Sequence, residues 1–420
     1  MPTKSFKYLD KNLIYLDQAC QTLRPKKVIE TELKYYTHLN SCGGRGNHQM
    51  VLQVDEVMHE TRKQILHFIG KSSDKYTVVF CPNTTIGINI LLTNLNWQNY
   101  KQIVTTDKEH NSVYLPAISF AKKFNKQLRI LPRSQQKNLD PIALSKISNS
   151  VCLFNTTSNI DGESLNELDI SIKTLKNEDN LVLLDATQSL AHNKIDFFDL
   201  DFDCLFASGH KLYAPSIGFM VIKKSLIKDL DQFWVGGGTV QKVENQSYEL
   251  IEVESDLGTR LEFGLQDYAA IFGLSEALEW LSEYKIKEEY PKLDYDSSLV
   301  KSVGNKLLGI GPAEESIFYI EALSDLLFEN LQNMQKKNKI KLLNKKASSI
   351  ISFVAIGLDS YILTARLSEQ NIICRSGFMC CHSYIKDVLK MPAITRVSIG
   401  LHNTPEDIIT FLKTLNKILS

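Results

Sequence analysis

The sequence predicts an α/β protein: a large domain on a doubly wound, mainly parallel sheet, followed by a smaller α+β domain. Three observations predict it. Short apolar runs recur through the first two-thirds of the 420 residues. Helical patterns lie between several of them. After Trp280 the texture changes to polar segments, amphipathic helices and one long apolar strand.

The runs YTVVF (76–80), QIVTT (102–106), LRILP (128–132), VCLFN (151–155), NLVLLD (180–185), DCLFA (203–207) and GFMVIK (218–223) read as strands. They are apolar throughout, as strands of a parallel sheet covered on both faces should be. IGINILLTNL (86–95) and SVYLPAISFAKKF (112–124) read as helices between them, which gives βα alternation. Ligands of such sheets bind beyond the carboxyl ends of the strands. Further on, residues 315–335 form an amphipathic helix pattern, 347–356 a strand, and 359–370 and 405–419 two more helices. The large domain is therefore expected over 15–282 and the small one over 283–420, with residues 1–14 packing on the latter.

Hydrophobic residues make up 43% of the chain, enough for a sizeable core without covalent staples. Lys and Arg (48) balance Asp and Glu (48), which argues against a nucleic-acid or anionic-membrane partner held by bulk charge. No apolar run reaches the roughly 18 residues of a membrane span, and the N-terminus lacks a secretory pattern. A cytoplasmic protein is expected. Eight cysteines in a chain this long are no disulfide framework. Cys20, Cys42, Cys81, Cys152 and Cys204 are scattered and read mostly as small buried hydrophobes.

The strongest chemical signal is ASGHKLYAPSIG (207–218). Lys211 follows a strand's carboxyl end, where its amine can enter the crevice and form an imine with a carbonyl cofactor. Ser208 and His210 beside it can donate to a phosphate. Taken alone, such a lysine is a solvated surface residue. LVLLDATQS (181–189) changes that reading, because Asp185 ends a buried strand and needs a partner there. The protonated ring nitrogen of pyridoxal phosphate (PLP) would be one, keeping the ring an electron sink. The plain alternative is a helix cap. Gln188 can reach the ring's phenolic oxygen or the imine.

Three further segments follow strands on the same edge. In CPNTTIGIN (81–89), Thr84 and Thr85 open a helix whose free N–H groups attract phosphate. In DKEHNSVYLP (107–116), His110 can stack on the pyridine ring and move protons. In FNTTSNIDG (154–162), Asn159 can hydrogen-bond the phenolic oxygen. Each is weak alone, and a capping role is the plain reading of Thr84 and His110. Their agreement on one edge makes a cofactor site.

The order YLDQA (15–19), NTT (83–85), EHNS (109–112), TSN (157–159), DATQS (185–189), SGHKLYAP (208–215) and TRVSIGLHNT (395–404) resembles the class V aminotransferase group of fold-type-I PLP enzymes. Within that group the chain is similar to the Suf-type cysteine desulfurases, which include selenocysteine lyases. The likeness covers nearly the whole chain, except about 285–313, which reads as an insertion. It implies that Lys211 is the Schiff-base lysine, that Asp185 pairs the ring nitrogen and that His110 stacks on the ring. It also implies that Arg396 holds the substrate carboxylate as a fork, a role its geometry suits.

IICRSGFMCCHSYIK (372–386) bears on the reaction type. Such desulfurases carry Arg-x-Gly-x-x-Cys there, matched by Arg375, Gly377 and Cys380, with Arg375 a second substrate-binding candidate. The implied chemistry is attack by the Cys380 thiolate on the sulfur of bound L-cysteine, leaving alanine and a protein persulfide. A mobile loop around Gly377 would carry the thiol. Two departures stand out. Phe378 and Met379 replace histidines common in the family. Leu265, in RLEFGLQDY (260–268), stands where a threonine reaches the partner subunit's phosphate, with Thr239 a candidate substitute. Adjacent Cys380 and Cys381 fit a zinc knuckle poorly, so no metal is expected.

The expected protein is thus a homodimeric PLP-dependent cysteine desulfurase acting on L-cysteine and passing sulfur to an acceptor protein, for iron–sulfur cluster assembly or other sulfur transfer. The alternatives are another class V PLP enzyme (a selenocysteine lyase, C–S lyase or aminotransferase) and a catalytically silent scaffold relative.

Overall fold

The structure is a computed structural model that describes residues 2–44, 46–133, 139–192, 195–252, 257–284 and 312–420. The expected insertion at 285–313 lies outside them but for its last two residues.

In chain order the strands are β1 (Ile14–Tyr15), β2 (Tyr76–Cys81), β3 (Gln102–Thr106), β4 (Gln127–Leu131), β5 (Ser150–Asn155), β6 (Leu181–Asp185), β7 (Cys204–Ser208), β8 (Gly218–Lys223), β9 (Val240–Glu244), β10 (Ser247–Leu250), β11 (Ile340–Leu342), β12 (Ile350–Ala355), β13 (Ile372–Ile373), β14 (Arg375–Gly377) and β15 (Ile394–Ser398). The seven apolar runs form one sheet in the order β2-β8-β7-β6-β5-β3-β4. All its strands run one way except β8, which is antiparallel to both neighbours. The reason is chain length: residues 209–217 are too few for the crossover of about a dozen residues that parallel neighbours need.

Alternate residues of each strand feed two separate cores. Val79, Ile103, Val151, Leu183 and Phe206 pack with Ile88, Leu91 and Val113 from the helices Thr84–Asn94 and Asn111–Lys123. Val78, Val104, Cys152, Leu184 and Leu205 face the other way, into a core with Ile65 and Leu66 of the helix Gln49–Ile69, Ile172 of Leu168–Lys176 and Leu274 of Tyr268–Tyr284. Burial on both faces explains the unbroken apolar runs of the other strands, while the edge strand β4 is largely exposed or half-buried.

The second sheet is antiparallel throughout, β11-β12-β15-β14. Helices Pro312–Lys336 and Pro405–Ile418 contribute Leu323, Leu327, Ile408 and Phe411 to the same core as the second face of the large sheet. The N-terminal β1 pairs in parallel with β13, and Asp17 bridges to Ser398. The chain start thereby lies against the second sheet and brings residues 17–22 towards the first. Among the described residues no helix is long and apolar enough to cross a membrane.

Candidate active site

Six strands of the large sheet end at one edge, at Cys81, Thr106, Leu131, Asn155, Asp185 and Ser208. A cavity of about 790 Å³ opens there, closed from the other side by residues 19–21, 375–376 and 379–380 and by Arg396. Of the residues expected from sequence, Thr84, Thr85, His110, Asn159, Asp185, Gln188, His210, Lys211, Arg375, Cys380 and Arg396 all line it. Ser208 lies one hydrogen bond behind, its Oγ 2.7 Å from His210 Nδ1.

Lys211 sits in the short turn after β7. Burial, with the charge of Arg396 next in the same direction, pushes its ammonium pKa down, against the pull of Asp185. A lysine so placed yields the neutral amine more readily than one in water. Asp185 accepts from the Thr187 N–H at 3.0 Å, and burial raises its pKa. His110 caps its helix: Nδ1 accepts from the Ser112 N–H at 3.1 Å. Burial and then Lys211 push the pKa of His110 down to about 3 and that of His210 to about 4.

Asn83, not Thr84, is the N-cap of the helix Thr84–Asn94, accepting from the Ile86 N–H at 3.0 Å. Thr84 and Thr85 form its first turn, where backbone N–H groups lack intrahelical acceptors. Their hydroxyls meet Thr187 Oγ1 (2.9 Å) and Ser112 Oγ (2.7 Å). A Cβ on Gly218 would come within 2.5 Å of the Asn83 carbonyl carbon, so this position keeps β8 close against the helix start.

Two buried polar atoms have no partner here: Gln188 Oε1, whose Nε2 donates to the Ala19 carbonyl at 2.8 Å, and Arg396 Nε. These orphans, a helix N-terminus, a buried carboxylate at a strand end and a buried lysine are the donor and acceptor set that a phosphorylated pyridine aldehyde with a carboxylate-bearing substrate requires. The residues fit PLP.

Arg396 is 2% exposed. Its Nη1 donates to the Asn159 carbonyl (3.0 Å) and its Nη2 to Asp17 Oδ1 (3.2 Å). The Nε and Nη2 of Arg375 both donate to Asp17, at 2.9 and 2.7 Å. The Arg375 fork is therefore already engaged within the protein.

Cys380 is an exposed free thiol and Cys381 a buried one. They do not alternate along an extended loop, because Met379 and Cys380 both have left-handed backbones (φ 48° and 54°). Each costs about 1 kcal/mol or more and is held by its surroundings. Asn159 Nδ2 donates to the Met379 carbonyl (2.7 Å), and Asn111 N–H donates to that of Cys380 (2.7 Å). The single S–H of Cys381 has two acceptors within reach, Asn159 Oδ1 (3.1 Å) and the Glu109 carbonyl (3.3 Å). In this structure the segment is a turn with two carbonyls hydrogen-bonded to the large sheet's edge. The Asn159 amide serves this turn as well as lining the cavity. Burial pushes the Cys381 pKa up. Phe378 stacks on His382, and Met379 packs with Ile160, Tyr384 and Ile394.

Sequence reasoning missed four contributors. Asp17, Ser112 and Thr187 support named site residues, and Cys20, half-exposed rather than buried, lines the cavity. Thr239, the candidate substitute for Leu265, is fully buried within the single chain, and its Oγ1 donates to the carbonyl of Gly236 and accepts from its N–H. Among the described residues no group of three His, Cys, Asp or Glu side chains could hold a metal ion.

The sequence pattern of the family described as aminotransferase class-V matches residues 14–299 and 304–411. The chain belongs to this family. Two class V relatives span nearly all of it. A probable cysteine desulfurase of Borreliella burgdorferi is 26% identical, covering 100% of this chain and 94% of its own. A cysteine desulfurase of Wigglesworthia glossinidia brevipalpis is 29% identical, covering 99% and 95%. Among solved structures, a cysteine desulfurase of Escherichia coli superposes with a TM-score of 0.82 at 22% identity, over 100% of this chain and 98% of that one. That likeness establishes the class V fold, and with it the α/β architecture expected from the sequence.

Proposed function

We propose that the chain is a PLP-dependent cysteine desulfurase that converts L-cysteine to L-alanine and keeps the sulfur as a persulfide on Cys380. One observation carries the reading: an exposed thiol, Cys380, and a buried lysine, Lys211, share a cavity at the carboxyl edge of a class V sheet. The names of the relatives support it.

PLP, when bound, supplies an electron sink conjugated to the α-carbon of an amino acid. Lys211 would hold it covalently, Asp185 would meet the ring nitrogen and His110 the ring face. Thr84, Thr85 and His210 would hold the phosphate, with Ser208 behind them on His210 Nδ1, and Gln188 and Asn159 would meet the phenolic oxygen. Arg396, which lines the cavity with one N–H of each Nη already engaged, would bind the substrate carboxylate through its remaining N–H donors. The Cys380 thiolate takes the substrate sulfur, so that L-cysteine and a thiol become L-alanine and a persulfide. Arg375 acts at one remove, through Asp17.

A homodimer, an acceptor protein for the sulfur and a cytoplasmic setting belong to the same proposal. So does the division into domains at 282/283, with residues 1–14 joining the second. All eight cysteines are free thiols, which suits a reducing compartment. A C–S lyase is the competing class V reading, and it needs no thiol at Cys380. Incubation with L-cysteine separates the two: the desulfurase releases L-alanine, with sulfide appearing only when a reductant is added. Pyruvate and ammonia in place of alanine would support the lyase.

A further inference from the structure

Lys108 lies two residues beyond β3 and is 2% exposed. A buried ammonium needs anionic partners. Its Nζ donates to Asp161 Oδ2 (2.6 Å) and to Glu163 Oε2 (2.9 Å). It also lies 5.4 Å from the centroid of the Tyr384 ring. The two carboxylates stand at the tip of a hairpin after β5. The Thr157–Ser164 bridge closes that hairpin, as does the Ser158 N–H donating to the Glu163 carbonyl (3.0 Å). Arg133, also buried, donates to the same carbonyl from Nη2 (3.1 Å). The tip carries Asn159, whose Nδ2 donates to the Met379 carbonyl and whose Oδ1 is within reach of the Cys381 thiol. Tyr384 opens the short helix Tyr384–Val388, in which the Ile385 N–H donates to the Cys381 carbonyl (3.1 Å). The hairpin and the helix that flank the two cysteines therefore converge on one ammonium. Lys108 itself does not line the cavity.

We infer that Lys108 is a positioning residue for the sulfur-accepting turn, keeping Cys380 at the cavity and Cys381 in the core. Without its charge, the side chains of Asp161 and Glu163, 13% and 19% exposed, are two neighbouring carboxylates that repel each other. The hairpin tip then opens and Asn159 withdraws from the Met379 carbonyl. The turn loses the support that presents one of two adjacent thiols and hides the other. The inference rests on the proposed reading, in which Cys380 takes the sulfur.

The test is Lys108→Met, which keeps an apolar stem and removes the charge. Iodoacetamide labelling of the PLP-loaded protein, mapped by mass spectrometry, reads the turn directly. It is done in a Cys380→Ala background, so that modification of Cys380 does not disturb its neighbour. Cys381 should label at least about tenfold faster with Met at 108 than with Lys, because its cover opens locally. Cys152 and Cys204, buried in the large sheet, should keep their slow rates. With Cys380 present, Lys108→Met should keep its PLP affinity and release alanine from L-cysteine at least about tenfold more slowly, as a misplaced nucleophile does. A merely structural role would speed the labelling of all three buried cysteines together. That result, or an unchanged rate at Cys381, overturns the inference. If Lys108→Met does not fold, Tyr384→Leu removes the ring side of the contact, and the same pattern decides. If the unsubstituted protein releases no alanine from L-cysteine, the proposed function fails by itself, and the labelling still decides whether Lys108 sets the turn.

Discussion

The carbonyl of Cys380 accepts a hydrogen bond from the backbone N–H of Asn111 at 2.7 Å. This bond ties the thiol-bearing turn to the first residue of the helix capped by His110. Asn159 holds the same turn one residue earlier, through the Met379 carbonyl. The thiol is therefore set by the backbone of the large sheet's edge, and its neighbour Cys381 is turned into the core.

Replacing the two cysteines separately should give unlike results. Cys380→Ala should keep bound PLP and bind L-cysteine, yet release no alanine. Cys381→Ala loses the thiol's hydrogen bond and about 1 kcal/mol of stability, but should keep the first turnover. Alanine assays on both, with a denaturant midpoint for the second, check this. Persulfide formation that survives Cys380→Ala and vanishes in Cys381→Ala would reverse the assignment.

Lys211→Ala should leave the fold intact and abolish turnover. Borohydride reduction after PLP loading should no longer fix the cofactor to the chain. Peptide mapping of the reduced protein is the check, and an adduct persisting in the variant would point to another lysine.

His110 and His210 link stability to pH. Their pKa values in the folded chain are pushed down to about 3 and about 4 from 6.5. Between those values the unfolded chain binds more protons than the folded one. The stability they contribute is therefore present above pH 6.5 and is lost as pH falls through 4 towards 3. Urea midpoints at pH 7 and pH 4 should fall less steeply in His110→Asn than in the unsubstituted protein. An equal or larger fall would mean that burial of this imidazole is not the source.

The homodimer predicts twice the chain mass in light scattering. Phe233, Trp234, Val235 and Leu265 expose a large apolar surface beside the Gly264 turn, whose N–H donates to the Gly237 carbonyl, as an interface would need. An active, PLP-loaded monomer would contradict it.

The large sheet was legible because its strands, the edge strand β4 apart, are buried on both faces and so read as apolar runs. The helix Gln49–Ile69 was not picked out, although Val51, Val54, Ile65 and Ile69 line its buried face, because Gln, Glu and His residues dilute the stripe. The hairpin β9–β10 leaves almost no residue buried, so it has no apolar signature. Site residues that directly follow strands were found by that position. Asp17 was not, since its partner Arg375 lies 358 residues away, and only the pairing of β1 with β13 brings them together. The orientation of the two adjacent cysteines was also hidden, because it depends on consecutive left-handed residues that periodicity does not reveal.

The central claim is that Cys380 receives the sulfur of L-cysteine. The most direct measurement is mass spectrometry of the PLP-loaded protein after L-cysteine, without reductant, followed by peptide mapping. The account predicts one added sulfur atom per chain, on Cys380, with one equivalent of L-alanine released. Alanine released with no sulfur retained, or sulfur found on Cys20 or Cys381 while Cys380 stays unmodified, would contradict it.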